Sequence, residues 1–257
     1  MLIAFLTFWI SSLIAPKTFP PIEFKSISKS FQKNIADREK ILTADSLLID
    51  YENFWLQSTK KSDLQIQQII ESNQDIFISE EELEKHFDLI DSEFEARKTK
   101  RIENHLQLLQ ILDEDEWSAI SEELLTYSPK GLKRLDKYIS GQQSTIDQKT
   151  KKLNATVEKL VENQSHKEEI LKYISRFNRT TKRLIAMQKL TDEQLATYKK
   201  YDVTKEELMS LDTDYTTALQ HSEYTFLKLR WVISTKCPPD TWQKITQEIS
   251  KLLESSL

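Results

Sequence analysis

Apolar residues along this chain recur at helical spacing, and polar stretches cut the pattern at short intervals. Between residues 146 and 174 the positions Ile146, Leu153, Val157, Leu160, Leu171 and Ile174 form an imperfect heptad-like stripe, interrupted by Gln164 and Lys167. One motif recurs where a periodic run starts again. In Leu190-Thr191-Asp192-Glu193-Gln194-Leu195, the Thr191 hydroxyl can accept from the amide three residues on, and Gln194 can reach back to the amide of Thr191. Leu190 and Leu195 flank this box as a hydrophobic staple, and the acidic pair sits where the helix dipole favours negative charge. The same grammar occurs at Ser79 with Glu82, Asp113 with Glu116 and Thr204 with Glu207, and without a staple at Ser62 with Gln65. Tyr127-Ser128-Pro129 starts another helix with proline in its first turn. The pattern predicts helices near 31–60, 62–74, 79–112, 113–126, 129–140, 142–189, 191–202, 204–235 and 239–255.

Composition narrows this to an all-α fold, an elongated helical bundle with long helices and coiled-coil-like pairing. Only 2 of 257 residues are Gly. Tight turns and phosphate loops depend on Gly where φ is positive or a backbone must approach a ligand closely. Charge is mixed, 36 basic against 41 acidic for a net −5, which does not fit nucleic-acid binding.

The first sixteen residues, MLIAFLTFWISSLIAP, are apolar and uncharged. They are shorter than the roughly 20 residues that cross a bilayer upright and suit the core of a signal peptide. No Lys or Arg precedes that core, and Pro16 follows the one obvious cleavage site, Leu13-Ile14-Ala15. An uncleaved anchor is the other reading: residues 17–43 carry six basic and three acidic side chains, which the positive-inside rule holds on the cytoplasmic side. Either way residues 1–16 are expected to engage a membrane, placing the protein in the cell envelope with the periplasmic side favoured over the cytosolic one.

The boxes repeat in order. Ser62/Gln65, Ser79/Glu82 and the box before Trp117 are followed by Thr191/Gln194, Thr204/Glu207 and the turn before Trp242, at separations of 129, 125 and 125 positions. With a small gap between them, His105–Leu108 lies over Phe226–Leu229. This predicts a duplicated chain: a targeting segment at 1–24, a helical unit at 25–127, a linking helix at 128–141 and a second unit at 142–257 that opens with a long coiled-coil-like helix.

Candidate chemistry is sparse. One cysteine, Cys237, excludes an intramolecular disulfide and a cysteine-based zinc site; it lies in Lys236-Cys237-Pro238-Pro239 and reads as a loop thiol. Glu82 with His86, Glu162 with His166, and Asp214 with His221 are the carboxylate–histidine pairs that could serve a metal site in a bundle, and a solvated helix face accounts for each. No catalytic residue, cofactor or small-molecule substrate is indicated. The strongest charge cluster is Arg97, Lys98, Lys100 and Arg101, a candidate patch for anionic lipid headgroups, an acidic partner or unfolded chains, although a solvated face is the more ordinary reading. Asn154, Asn163 and Asn178 each begin an Asn-x-Ser/Thr triplet.

Leu190-Thr191-Asp192-Glu193-Gln194, the degenerate Leu112-Asp113-Glu114-Asp115-Glu116, and the helix KRIENHLQLLQILDEDEW from Lys100 to Trp117 together resemble the Spy/CpxP family of bacterial envelope proteins, over about 70 residues. The chain departs from that family in its 3 Met, its net −5 and its greater length. The resemblance implies a curved, dimeric helical cradle acting as an ATP-independent envelope chaperone or stress sensor for partly unfolded chains or metal ions. The expected function is therefore a non-enzymatic, membrane-targeted helical protein that binds a protein partner or itself. A cytosol-facing, membrane-anchored coiled-coil scaffold is the first alternative, and a helical-bundle metal-site protein the second.

Overall fold

The structure is a computed structural model that describes residues 24–125 and 129–256. The fold is all-α. The helices are α1 (Phe24–Asn34), α2 (Arg38–Ser72), α3 (Glu80–Ile111), α4 (Glu114–Leu124), α5 (Pro129–Leu160), α6 (Gln164–Ala186), α7 (Asp192–Lys199), α8 (Lys205–Ser210), α9 (Thr213–Lys236) and α10 (Pro239–Ser256). No strand occurs among the described residues. The apolar segment 1–16 and the Ser128 cap lie outside them, and none of the described helices is long and apolar enough to cross a membrane.

Four of the five predicted boxes close as written. The side chains of Asp113, Thr191 and Thr204 each accept from the amide three residues on, and Glu116, Gln194 and Glu207 return the bond to the cap amide. Ser79 and Glu82 do the same, with Glu82 N to Ser79 Oγ at 3.1 Å and Ser79 N to Glu82 Oε2 at 3.1 Å. The fifth fails. α2 runs through Ser62 without a break, Ser62 is buried, and Gln65 Oε1 lies 3.1 Å from His86 Nδ1 instead of returning to a cap. No staple, Gly or Pro stops the helix there, so propagation continues.

Three breaks fall where no box was predicted, and one of them, the turn at Leu211 and Asp212, divides the expected 204–235 helix into α8 and α9. Asp37 Oδ1 accepts from the amides of Glu39 (2.7 Å) and Lys40 (3.4 Å), separating α1 from α2 inside the expected 31–60 helix. Asn163 Oδ1 accepts from the amide of His166 at 3.0 Å and divides the expected 142–189 helix into the end of α5 and α6. The expected linking helix is simply the start of α5, which passes through Gly141 with open space where a Cβ would stand.

The described residues form two compact units, and these are not the sequential halves expected at 25–127 and 142–257. Unit 1 takes its described residues from the segments up to Lys61, Ser92–Lys137 and Gln188–Thr213; unit 2 takes Ser62–Asp91, Tyr138–Met187 and Asp214–Leu257. The unit 1 core gathers Ile27, Phe31, Ala44, Ile102, Ile120 and Leu208 around Trp117 and Tyr198. In unit 2 the buried apolar residues include Ile69, Leu83, Ile146, Ile170, Phe226 and Trp242.

Candidate functional site at the buried arginines

The basic run on α3 is mostly not a solvated face. Arg101 is 1 % exposed, Arg97 and Lys98 are also buried, and Lys100 is half-buried. The correction has a simple cause. On a helix, residues 97 and 101 share one face, one turn apart, and that face points into the core of unit 1 with Phe94, Ile102 and His105. A sequence window records five consecutive polar or charged letters here, Arg97 to Arg101, and gives no hint of which neighbours arrive from elsewhere in the chain.

The neighbour is Asp212, between α8 and α9. Its Oδ2 accepts from Arg101 Nη2, and both side chains are almost wholly removed from water. Two ions leaving water together cost several kcal/mol each unless geometry and further hydrogen bonds compensate, so such a pair is built tightly or not at all. Burial by itself lowers the Arg101 pKa, but its interactions with Tyr198, Asp212 and Tyr51 outweigh it and the net shift is upward. Arg101 therefore stays cationic.

Aromatic side chains wall this pair. Tyr51 on α2 and Tyr198 on α7 are buried, and desolvation raises each phenol to about 12, so both are neutral O–H groups at physiological pH. His105, one turn along α3, meets Trp117 edge-on at 5.0 Å between ring centroids and Tyr198 edge-on at 5.6 Å. Burial, then the Arg101 charge, lowers its pKa from 6.5 to about 4, so this imidazole is neutral. Trp117 Nε1 donates to the Lys199 carbonyl at 3.0 Å, and the Tyr201 hydroxyl donates to the Leu112 carbonyl at 2.9 Å. The cluster contains an arginine, a carboxylate, a histidine and two tyrosines, and its described partners are internal: the ion pair, the edge-on rings and the backbone carbonyls join helices. That arrangement serves cohesion, with the polar groups directed at one another.

The other candidates do not form a site: Asp214 and His221 are both exposed on α9. Glu82 is held by Ser79, with its pKa lowered by that backbone contact first, and His86 faces Gln65. Asn163 and the amide of His166 form a helix cap. Cys237 is buried, which raises its thiol pKa and moves it away from nucleophilic reactivity at neutral pH. Among the described residues no group of three or more His, Cys, Asp or Glu is placed to hold a metal ion.

A second, half-buried acidic group was not anticipated. Glu223 on α9, in unit 2, is paired with Asp91 and near Asp88, and its pKa rises to about 8, by burial first and then by those like charges. The only signal in the sequence would have been the acidic letters on α3, which are common on any solvated helix.

Large apolar side chains also stand in water. Leu42, Ile49 and Leu56 on α2 are 61, 55 and 45 % exposed, and Tyr224 and Trp231 on α9 are exposed beside Lys228 Nζ, at 5.4 and 5.9 Å from their ring centroids. No family model matches the chain, and no curated protein or solved structure matches it.

Proposed function

We propose that this protein is a non-enzymatic helical interaction protein of the cell envelope, which holds apolar segments of partly unfolded client proteins. The observation that carries the reading is the row Leu42, Ile49 and Leu56. A seven-residue spacing keeps the three on one helix face, and an exposed apolar row of this kind marks a surface for partners. Asp45, Asp50 and Glu52 flank the row, and no Lys or Arg occurs between Lys40 and Lys60. The client segment that fits is apolar with basic flanks. The resemblance of the Leu190–Gln194 and Leu112–Glu116 boxes to the Spy/CpxP pattern supports an ATP-independent, chaperone-like role. The apolar residues 1–16 support delivery to, or retention at, a membrane.

The test is suppression of aggregation of a reduced, basic client by the purified protein. At stoichiometric ratio the wild type should suppress light scattering, and Leu42→Ser/Ile49→Ser/Leu56→Ser should lose most of that effect. Wild-type protein without effect, or a triple variant as active as wild type, overturns the reading. The basic flank at 17–43 favours a second reading, a scaffold facing the cytosol. A reporter fused after residue 257 distinguishes the two: a cytoplasmic signal favours the scaffold and removes the envelope chaperone.

A further inference from the structure

The helix breaks and buried positions repeat along the chain in close register. Asp37, which caps α2, and Asn163, which caps α6, are 126 apart, and the uncoiled stretches before the two helices are 35–37 and 161–163. At the same separation Ile27, Phe31, Ile35, Ala44, Leu48 and Tyr51 correspond to Leu153, Val157, Val161, Ile170, Ile174 and Phe177, all buried. From Ser79 onward the separation is 125. Positions 117, 120, 121, 124 and 125 are buried between exposed ones, and so are 242, 245, 246, 249 and 250. The gap needed to place His105 over Phe226 is unnecessary: His105 corresponds to Arg230, and each packs on the tryptophan twelve residues later, at 5.0 Å from ring centroid to Trp117 and from Arg230 Cζ to the Trp242 ring centroid.

The unit boundaries follow the repeat: the exits are 126 apart, as the register requires, and the returns are 122 apart, three short of it. The chain leaves unit 1 after Lys61 and leaves unit 2 after Met187; it returns at Ser92 and at Asp214. The segment 62–91 of the first copy therefore sits in the unit built from the second copy, and 188–213 of the second sits in the unit built from the first. The ties are of matching kind. In unit 1, segment 188–213 supplies Asp212 to Arg101, the Lys199 carbonyl to Trp117 and the Lys199 ammonium to Glu122 at 2.7 Å. In unit 2, segment 62–91 supplies the Asp75 carbonyl to Arg230 at 2.6 Å, Glu80 to Lys228 at 3.3 Å and Phe87 to Phe226 at 5.7 Å. Arg101 and Phe226 are equivalent positions, and so are Phe87 and Asp212: the two pairs occupy one place in the repeat.

We infer that the chain is a fused pair of copies that reciprocally exchange their middle segments, so that each half completes the fold of the other and the surface each half offers is made for a second copy of itself. Loop closure within one chain makes such an exchange inexpensive, because the partner segment is always at hand.

Hydrogen exchange on the full chain tests this. Ile120 and Ile245 are equivalent and fully buried, one in each unit. Ile120→Ala should lower protection by more than about tenfold in 24–61, 92–125 and 188–213, and leave 214–250 near wild type. Ile245→Ala should lower it in 138–187, 214–250 and 62–91. The inference is overturned when 188–213 instead follows 214–250. A variant that lowers protection everywhere shows one cooperative body, and then a cut decides: a flexible insert with a specific protease site between Thr126 and Pro129, digested to completion. Native mass spectrometry should find the two fragments still bound as one complex. Separation into two folded halves overturns the exchange.

Discussion

Unit 1 and unit 2 fill the same place in the repeat with opposite chemistry. In unit 1 it holds Arg101 and Asp212, a buried ion pair; in unit 2 it holds Phe226 and Phe87, two rings meeting at 65° with centroids 5.7 Å apart. The aromatic pair gains dispersion and hydrophobic burial with no ionic desolvation to offset. The ion pair carries that desolvation and gains a partner requirement, because a buried Arg101 is tolerable only where Asp212 arrives. The position itself does not demand charge. Charge makes the arrival of segment 188–213 conditional on register, whereas phenylalanines accept a neighbouring hydrophobe almost as well.

Removing one ion should therefore do more harm than removing both. Arg101→Leu leaves the Asp212 carboxylate buried without its cation, and Asp212→Asn leaves the guanidinium without its anion. Each should cost about 3–5 kcal/mol, read as a lower midpoint in urea unfolding followed by circular dichroism. Arg101→Phe/Asp212→Phe, which copies unit 2 into unit 1, should recover most of that loss. Single variants costing less than about 1 kcal/mol would show that the pair is not desolvated, and the contrast with unit 2 would disappear.

The next difference along α3 and α9 is electrostatic. Lys98 and Glu223 occupy equivalent positions. Lys98 Nζ lies 3.3 Å from Glu95 Oε2, whereas Glu223 meets Asp91 and Asp88. Glu223 has a folded pKa of about 8, above the ordinary 4.5, so the fold binds a proton that the unfolded chain releases. Its contribution is complete below about pH 4.5 and is lost as pH rises towards 8. His105 in unit 1 has the opposite sense: a folded pKa of about 4 against 6.5 means that its neutral state supports the fold above pH 6.5 and stability falls as pH drops towards 4. Unit 2 should thus weaken on the alkaline side and unit 1 on the acid side. Urea midpoints between about pH 6.5 and 8, above the range in which His105 titrates, should decline in wild type and stay flat in Glu223→Gln. Parallel declines in the two proteins would place the titrating group elsewhere.

Most elements could be read from the sequence because the information was local. Thr191 with Gln194, Asp113 with Glu116, Thr204 with Glu207 and Ser79 with Glu82 are complete within four residues, and all four boxes form. The Ser62 box was equally visible and does not form, since nothing local compels α2 to stop before its buried turn. The candidate patch failed as an exposed surface for a related reason. Arg97, Lys98 and Arg101 look solvated in one dimension, and Asp212, 111 residues from Arg101 in the chain, is what makes a buried arginine possible. The register of the duplication was legible in the box before Trp117 and the turn before Trp242, but the exchange of middle segments was not, because equal spacing is the same whether a segment folds back on its own copy or onto the other.

The smallest contrast concerns two helix starts, those of α2 and α6, that no box announced. Asp37 lay inside an expected helix, and Asn163 read as the start of a glycosylation triplet, yet they cap equivalent helices. Asp37 Oδ1 takes two amides, from Glu39 and Lys40, and its charge faces the positive end of α2; Asn163 takes one, from His166, and is neutral. Asp37→Ala and Asn163→Ala should each cost about 1 kcal/mol, with the first the larger. Asp37→Asn isolates the charge, because it keeps an accepting oxygen, and should cost about 0.3–1 kcal/mol at low ionic strength and less in high salt. The measurement is the urea midpoint of each variant at two salt concentrations. A salt-independent loss in Asp37→Asn would assign the difference between the caps to hydrogen bonding alone, and equal losses in the two alanine variants would leave the second amide at Asp37 without energetic weight.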